Sequence, residues 1–232
     1  MDEILEVSNV FKNYGNKEVL KDINFKLKEG KVVGILGPNG QGKTTLLNII
    51  GGLIKPTSGV ASIDGINVSY ETKKVVSFLQ EKNVLYNWMS IKDAINFYKD
   101  FLKDFDSNKM SDLLKFMKLE ENMTVNKLSK GMLEKLSLSL TLSRKARLYI
   151  LDEPISGVDT VTRDKIVNVI IDNITIDSSM IITTHYIGEL ENIFDEVLFL
   201  GEGKIIEHGD AEELREKYGT SIEEIYKKIF NE

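Results

Sequence analysis

The chain is 232 residues long, 42% hydrophobic and 28% charged, enough apolar material for one sizeable core or two small ones. A net charge of −6 gives no support for nucleic-acid binding, and the lack of Cys excludes disulfides and thiolate metal sites, while two His argue against a His-rich zinc site. No apolar run reaches the roughly 18 residues of a membrane span, and three Pro leave no Pro-rich linker to divide the chain.

The first segment, "MDEILEVSNV", lacks the basic-then-apolar order of a signal peptide. Residues up to Gly30 alternate apolar and polar, with a turn near Tyr14–Asn16, which predicts antiparallel strands. "GVASIDGINV", near Gly59–Val68, shares that pattern. "KVVGILG" (Lys31–Gly37) is continuously apolar and predicts a buried strand, followed at Gly42 by a helix. "VVSFLQ" (Val75–Gln80), "ARLYILDEP" (Ala146–Pro154) and "SMIITTH" (Ser179–His185) predict further buried strands. "EVLFLGEGKIIEHG" predicts a hairpin turning at Gly-Glu-Gly, and the last 22 residues, from Ala211, a final helical segment with no room for an additional domain. Continuous apolar strands between helices imply a mostly parallel α/β sheet covered on both faces, with a small antiparallel layer beside it.

The stretch 90–144 is helical in pattern. Ser90 and Asp93 form a capping box, and Ile91, Ala94, Ile95, Tyr98, Phe101, Leu102 and Phe105 recur at helical spacing, as expected of a packing core. "MSDLLKFMKL" continues the helical character. In "LSKGMLEK" (Leu128–Lys135), Ser129 predicts a helix cap, with Glu134 and Lys135 facing water. Gly131 in that first turn costs about 1 kcal/mol relative to Ala, so the segment needs a reason beyond helix formation.

The chemistry is concentrated in "GPNGQGKT", Gly37 to Thr44, which matches the phosphate-binding loop pattern between a strand and a helix. Gly37, Gly40 and Gly42 let the backbone curl so that N–H groups face anionic oxygens, and the helix N-terminus adds positive potential. Lys43 reaches the β- and γ-phosphates, and the Thr44 hydroxyl ligates Mg²⁺. The whole run is taken as nucleotide-binding, including Pro38, Asn39, Gln41 and the following Thr45. "LYILDE" delivers Asp152 to a strand tip, where Mg²⁺ and its waters would sit. Glu153 is expected on the opposite face, as a general base for water.

In this order the motifs resemble the ATP-binding subunit of an ATP-binding-cassette (ABC) transporter, over essentially the whole chain. "LSKGM" resembles the family's signature segment, "SGVD" (Ser156–Asp159) its dimer-contacting loop, and His185 its switch histidine. The resemblance implies a P-loop NTPase (RecA-like) core over 1–89 and 145–232, with an antiparallel β-subdomain and a helical signature subdomain inserted at 90–144. It implies that Tyr14 stacks on adenine. Gly40, Gly42, Lys43, Thr44 and Thr45 would hold phosphates and Mg²⁺, with Asp152 supporting the metal through water. Glu153 would activate the hydrolytic water and His185 contact the γ-phosphate. Ser129 and Gly131 would complete the ATP site of a second ABC ATPase subunit, identical or not.

The resemblance further implies ATP and Mg²⁺ as cofactors, separate transmembrane permease subunits as partners, no nucleic acid, and a peripheral position on the cytoplasmic face of a bacterial membrane. The neighbourhood of Tyr86, Trp88 and Met89 would receive a permease helix, unless Trp88 packs internally. Within the family, "FLQEKNVLYNWMSIKDAINFYKDF" and "LSKGMLEK" resemble exporter subunits of the ABC-2 type. A soluble ABC ATPase of assembly, repair or translation is the alternative, disfavoured by a single cassette and the lack of a long coiled coil. Two departures stand out. Lys130 and Met132 replace Gly and Gln in the signature. The family's metal-ligating Gln falls at Glu81 by spacing or at Gln80 by residue type, and strand alternation lets only one of them reach the metal. His208 is read as structural or surface.

Overall fold

Alternation and continuity of apolar residues separate two sheets in the structure, a computed structural model that describes residues 3–81 and 84–231. Lys82 and Asn83, in the stretch where the metal-facing residue is sought, lie outside the described residues, as do Met1, Asp2 and Glu232 within the expected 1–232 bounds.

The alternating segments form β1 (Glu3–Tyr14) and β2 (Lys17–Lys28), an antiparallel hairpin turning at Gly15 and Asn16. The continuous segment that follows forms β3 (Val32–Leu36), fully buried, and runs through the glycine-rich loop into α1 (Lys43–Ile50). Next come β4 (Ser58–Ile63), the short β5 (Ile66–Asn67) and β6 (Val76–Leu79). The helical stretch contributes α2 (Ile91–Phe101), α3 (Ser107–Met117) and α4 (Lys130–Leu142). The second half alternates β7 (Leu148–Asp152), α5 (Thr160–Asp172), β8 (Ser179–Thr183) and α6 (Ile187–Leu190). It ends in the hairpin β9 (Glu196–Gly201) and β10 (Lys204–Asp210), then α7 (Ala211–Tyr218) and α8 (Ile222–Phe230).

The first sheet is antiparallel in the order β2-β1-β4-β5. The second has the order β10-β9-β3-β8-β7-β6, parallel except for the β9–β10 edge. This is the expected α/β fold, a mostly parallel sheet with an antiparallel sheet and a helical block.

Period-two geometry explains why the parallel strands are apolar throughout. Val33, Ile35, Leu148, Ile150 and Ile181 face one core, with α1 and the antiparallel sheet. Val32, Leu36, Leu151, Met180 and Ile182 face the other, with α3, α4 and the C-terminal helices. The helical block therefore shares a core with the parallel sheet instead of building its own.

Two local expectations need correction. The helix with the Ser90–Asp93 capping box stops at Phe101, because Leu102 turns extended at φ −118° and ψ 104°. Of the proposed apolar stripe only Ile91 and Ala94 are fully buried, Phe101 is 72% exposed, and Phe105 bridges to Arg144. Likewise, Glu134 does not face water. Its side chain is half-buried, and a Cβ on Gly157 would fall within 1.8 Å of its Oε1.

Candidate active site

The parallel register brings three strand ends to one edge. Asp152 pairs with Thr183 across β7 and β8, and β3 beside them opens into the glycine-rich loop. At this edge a cavity of about 360 Å³ is lined by Asn39, Gly40, Gly42, Lys43, Thr44 and Thr45 from the loop. Glu81, Asp152, Glu153, Ser156 and His185 close its other side.

Gly40 and Gly42 adopt φ of 78° and 104°, a region open to Gly at little cost, and this curls the loop around the cavity. No side chain caps the N-terminus of α1, so its first N–H groups face the cavity mouth without a side-chain acceptor. Lys43 is only 7% exposed, and its ammonium donates to the carbonyls of Gly37 and Pro38. Gly37, Pro38 and Gln41 lie outside the lining. Gln41 Oε1 accepts the Glu202 N–H at 2.6 Å, which ties the loop to the β9–β10 turn.

Asp152 is 2% exposed. Its Oδ1 accepts the Thr183 hydroxyl at 2.6 Å, while Oδ2 is buried without a hydrogen-bond partner. Burial pushes its carboxyl up, against the hydroxyls of Thr183 and Thr44, which favour the anion. Glu153 does not take the opposite face. It leaves the strand at φ 54°, held by N–H bonds to the carbonyl (3.1 Å) and hydroxyl (3.2 Å) of Thr183, so both carboxylates line one cavity. Burial raises Glu153 to about 7, against the opposing pull of the His185 backbone N–H and Lys43. His185 Nε2 stands 3.1 Å from Glu153 Oε1, an ion pair only when the ring is protonated, and that oxygen accepts no hydrogen bond.

The orphaned oxygens test the fit of a hard cation. Mg²⁺ takes oxygen ligands and is held by one or two carboxylates plus substrate phosphates. Asp152 Oδ2, the Thr44 hydroxyl and Glu81 supply such donors at the cavity wall. Among the described residues no group of three or more His, Cys, Asp and Glu is placed to hold a metal ion.

Glu81 lines this cavity, and Gln80 lines the apolar groove beside α2; both border a small cavity of about 130 Å³ next to Glu134. Tyr14 is half-exposed at the end of β1, with Lys12 Nζ 5.0 Å from its ring centre, and stands outside the lining. Ser129 caps α4 through the Met132 N–H at 3.2 Å, and Gly131 packs against Gly157 and Val158. Neither reaches the cavity of its own chain. His208 sits away from the site, against Glu196 at 3.1 Å and edge-on to Phe25. Sequence reasoning missed Lys17, Val19 and Tyr186 in the lining. Position beside Tyr14 and His185 was the one available signal for them.

A family model described as "ABC transporter" matches residues 20–156. The lantibiotic transport ATP-binding protein SrtF of Streptococcus pyogenes is 29% identical over 223 residues, covering 94% of this chain and 97% of that protein. A solved ATP-binding subunit of an ABC transporter superposes with a TM-score of 0.89 at 24% identity, covering 98% and 99% of the two chains. A dimeric ATP-binding cassette in a post-hydrolysis state, bound to ADP and Pi, gives 0.79 at 24% identity over 89% and 98%.

Proposed function

This chain belongs to the ABC transporter family as an ATP-binding, ATP-hydrolysing domain, and from that premise we propose that two copies close around ATP to power export through separate membrane subunits. One observation carries the reading: a single cavity gathers the glycine-rich loop, Lys43, two buried carboxylates with orphaned oxygens, and His185. Lys43 transfers its ammonium from the Gly37 and Pro38 carbonyls to the β- and γ-phosphates. The α1 N-terminus and the loop N–H groups cradle the remaining oxygens. Glu153 Oε1 takes a proton from the attacking water, and a carboxyl raised to about 7 is matched to that task near neutral pH. His185 donates to a γ-phosphate oxygen. Thr44, Asp152 and Glu81 would hold Mg²⁺, which would supply charge neutralisation for the phosphates.

The signature residues need a second copy. Ser129 and Gly131 present a hydroxyl and a bare backbone outside their own cavity, a disposition that suits the γ-phosphate held by a partner. Tyr14, at the rim, would stack on the base. The core of 1–89 and 145–232 then carries the phosphate site, and the helical block of 90–144 carries the part offered to the partner.

The apolar groove supports the transport reading over a soluble ATPase. It measures about 420 Å³ and is walled by Tyr86, Phe97 and Phe101, all exposed, with Trp88 stacked on Tyr86 at 6.0 Å. Exposed aromatic rings beside a groove suit helix-in-groove docking, here of a permease segment at the cytoplasmic face of the membrane. Among the described residues no helix is long and apolar enough to cross a membrane. The likeness to a lantibiotic transport protein favours export.

The test is light scattering of Glu153→Gln with and without ATP and Mg²⁺. A stable ATP-dependent dimer is expected, and its loss on adding Lys43→Ala. ATP-loaded Glu153→Gln that stays monomeric would count against closure of two copies.

A further inference from the structure

We propose that Arg163 is a positioning residue that acts through Tyr186 to aim His185, joining the loop 156–159 to the active-site histidine. The inference rests on the ATP-site reading of the cavity. Arg163 lies in the first turn of α5, and its side chain is only 17% exposed. Three contacts fix its guanidinium. Nε donates to the Val158 carbonyl at 3.1 Å, Nη1 donates to Glu189 Oε1 at 3.0 Å, and the guanidinium carbon stands 3.7 Å from the centre of the Tyr186 ring. One planar group thus touches the loop that follows Glu153 and the turn that follows His185.

These contacts matter because they reach the turn that carries His185 from the side away from Glu153. β8 ends at Thr183, and the backbone at Tyr186 is already non-helical, at φ −99° and ψ 61°. The Tyr186 N–H bonds the Thr184 hydroxyl at 2.9 Å, and the His185 N–H bonds Glu153 at 3.2 Å. Tyr186 follows His185 directly and both line the cavity, so fixing the Tyr186 ring constrains the backbone that carries the imidazole. Arg163 covers the face of that ring, and through Glu189 it also ties down α6. A fixed donor fork with a flat stacking surface does this work, and a Lys would supply the charge without either. The Val158 contact gives the device a direction. A shift of the loop 156–159 would reach the Tyr186 ring, and the backbone of His185 beside it, through the guanidinium.

The contacts could serve stability alone, and a double-mutant cycle separates the two roles. Turnover of ATP is measured for the full chain, Arg163→Ala, His185→Ala and the double variant, with ATP affinity measured by calorimetry. Arg163→Ala is expected to lower kcat by about tenfold while KM and ATP affinity stay within about twofold, the signature of an effect confined to the chemical step. In the His185→Ala background the same substitution is expected to change kcat by less than about twofold, because the residue it acts through is gone. Arg163→Lys and Tyr186→Leu are expected to reproduce the loss, and they carry the test if Arg163→Ala does not fold. Equal losses in both backgrounds, or an unchanged kcat, would overturn the inference while leaving the ATP site standing. A wild-type chain that neither binds nor turns over ATP would overturn the ATP-site reading, and this inference with it.

Discussion

Glu153 and His185 hold each other at two points: Nε2 to Oε1 at 3.1 Å, and the His185 backbone N–H to Oε2 at 3.2 Å. The proposed base and the proposed γ-phosphate donor therefore share one carboxylate. Under the proposed function, a phosphate oxygen that drew the imidazole away would leave Oε1 open to the attacking water.

The raised Glu153 pKa has a consequence for stability. Its value of about 7 in the folded chain lies above the unfolded value of 4.5, mainly because burial penalises the anion. Between those two pH values the folded state holds the proton more tightly, so stability is fullest below 4.5 and is lost as pH rises through about 7. Glu153→Gln removes the loss. It is expected to stabilise the chain at pH 8 by up to about 3 kcal/mol and by little at pH 4. Urea midpoints at the two pH values measure this, and a stabilisation independent of pH would refute the origin assigned to it.

Glu81 and Gln80 make separable predictions. Glu81 borders Lys43, Asp152 and Glu153, and its charge adds to the upward shift of both acids. Glu81→Ala is expected to raise the Mg²⁺ concentration for half-maximal ATP turnover by about tenfold, the loss of one oxygen ligand. Gln80→Ala, which opens onto the apolar groove, is expected to leave that concentration within about twofold. Titration of turnover against Mg²⁺ decides it, and equal shifts at both positions would leave the assignment to Glu81 without support.

The strands and the phosphate loop were legible because their signals are local. Period two separates alternating β1 from continuous β3, and "GPNGQGKT" carries its glycines and Lys43 in register. What escaped depends on distant partners or on single dihedrals. Glu153 shares a face with Asp152 because one residue takes φ 54°, which no alternation rule anticipates. Glu134 looks solvent-facing by helical spacing, yet the loop at Gly157 folds over it from another element. Phe101 fits an apolar stripe, but the helix ends there and leaves the ring at the surface.

That exposure carries its own prediction. Trp88 is 69% and Phe101 72% exposed, so truncating either to Ala is expected to move stability by no more than about 0.5 kcal/mol and to leave ATP affinity unchanged. Together the two substitutions are expected to abolish recovery of membrane subunits with the chain from detergent-solubilised membranes. Retained recovery would mean that the permease docks elsewhere.

Gly157 and Glu134 give the sharpest test of packing between the signature helix and the loop 156–159. A Cβ at Gly157 would meet Glu134 Oε1 at 1.8 Å and Cδ at 2.4 Å, far inside any non-bonded contact, so the Glu134 side chain must shift. The carboxyl is half-buried, raised by that burial and held partly in check by Lys130 and the Gly157 backbone, with Oε2 lacking a hydrogen-bond partner. Its nearest way out is toward Lys130, 3.9 Å away, along the small cavity they share. Gly157→Ala is therefore expected to cost about 1–3 kcal/mol, the range for forcing a side chain into a filled site. In a Glu134→Ala background the obstacle is absent, and the same substitution is expected to cost less than about 0.5 kcal/mol. Thermal or urea unfolding of the four proteins measures the coupling. Because Ser129 and Gly131 ride on the same helix, Gly157→Ala alone should also weaken the ATP-dependent dimer of Glu153→Gln, and Glu134→Ala should restore it. Equal stability losses in both backgrounds would show that the cost lies in the loop backbone and not against Glu134.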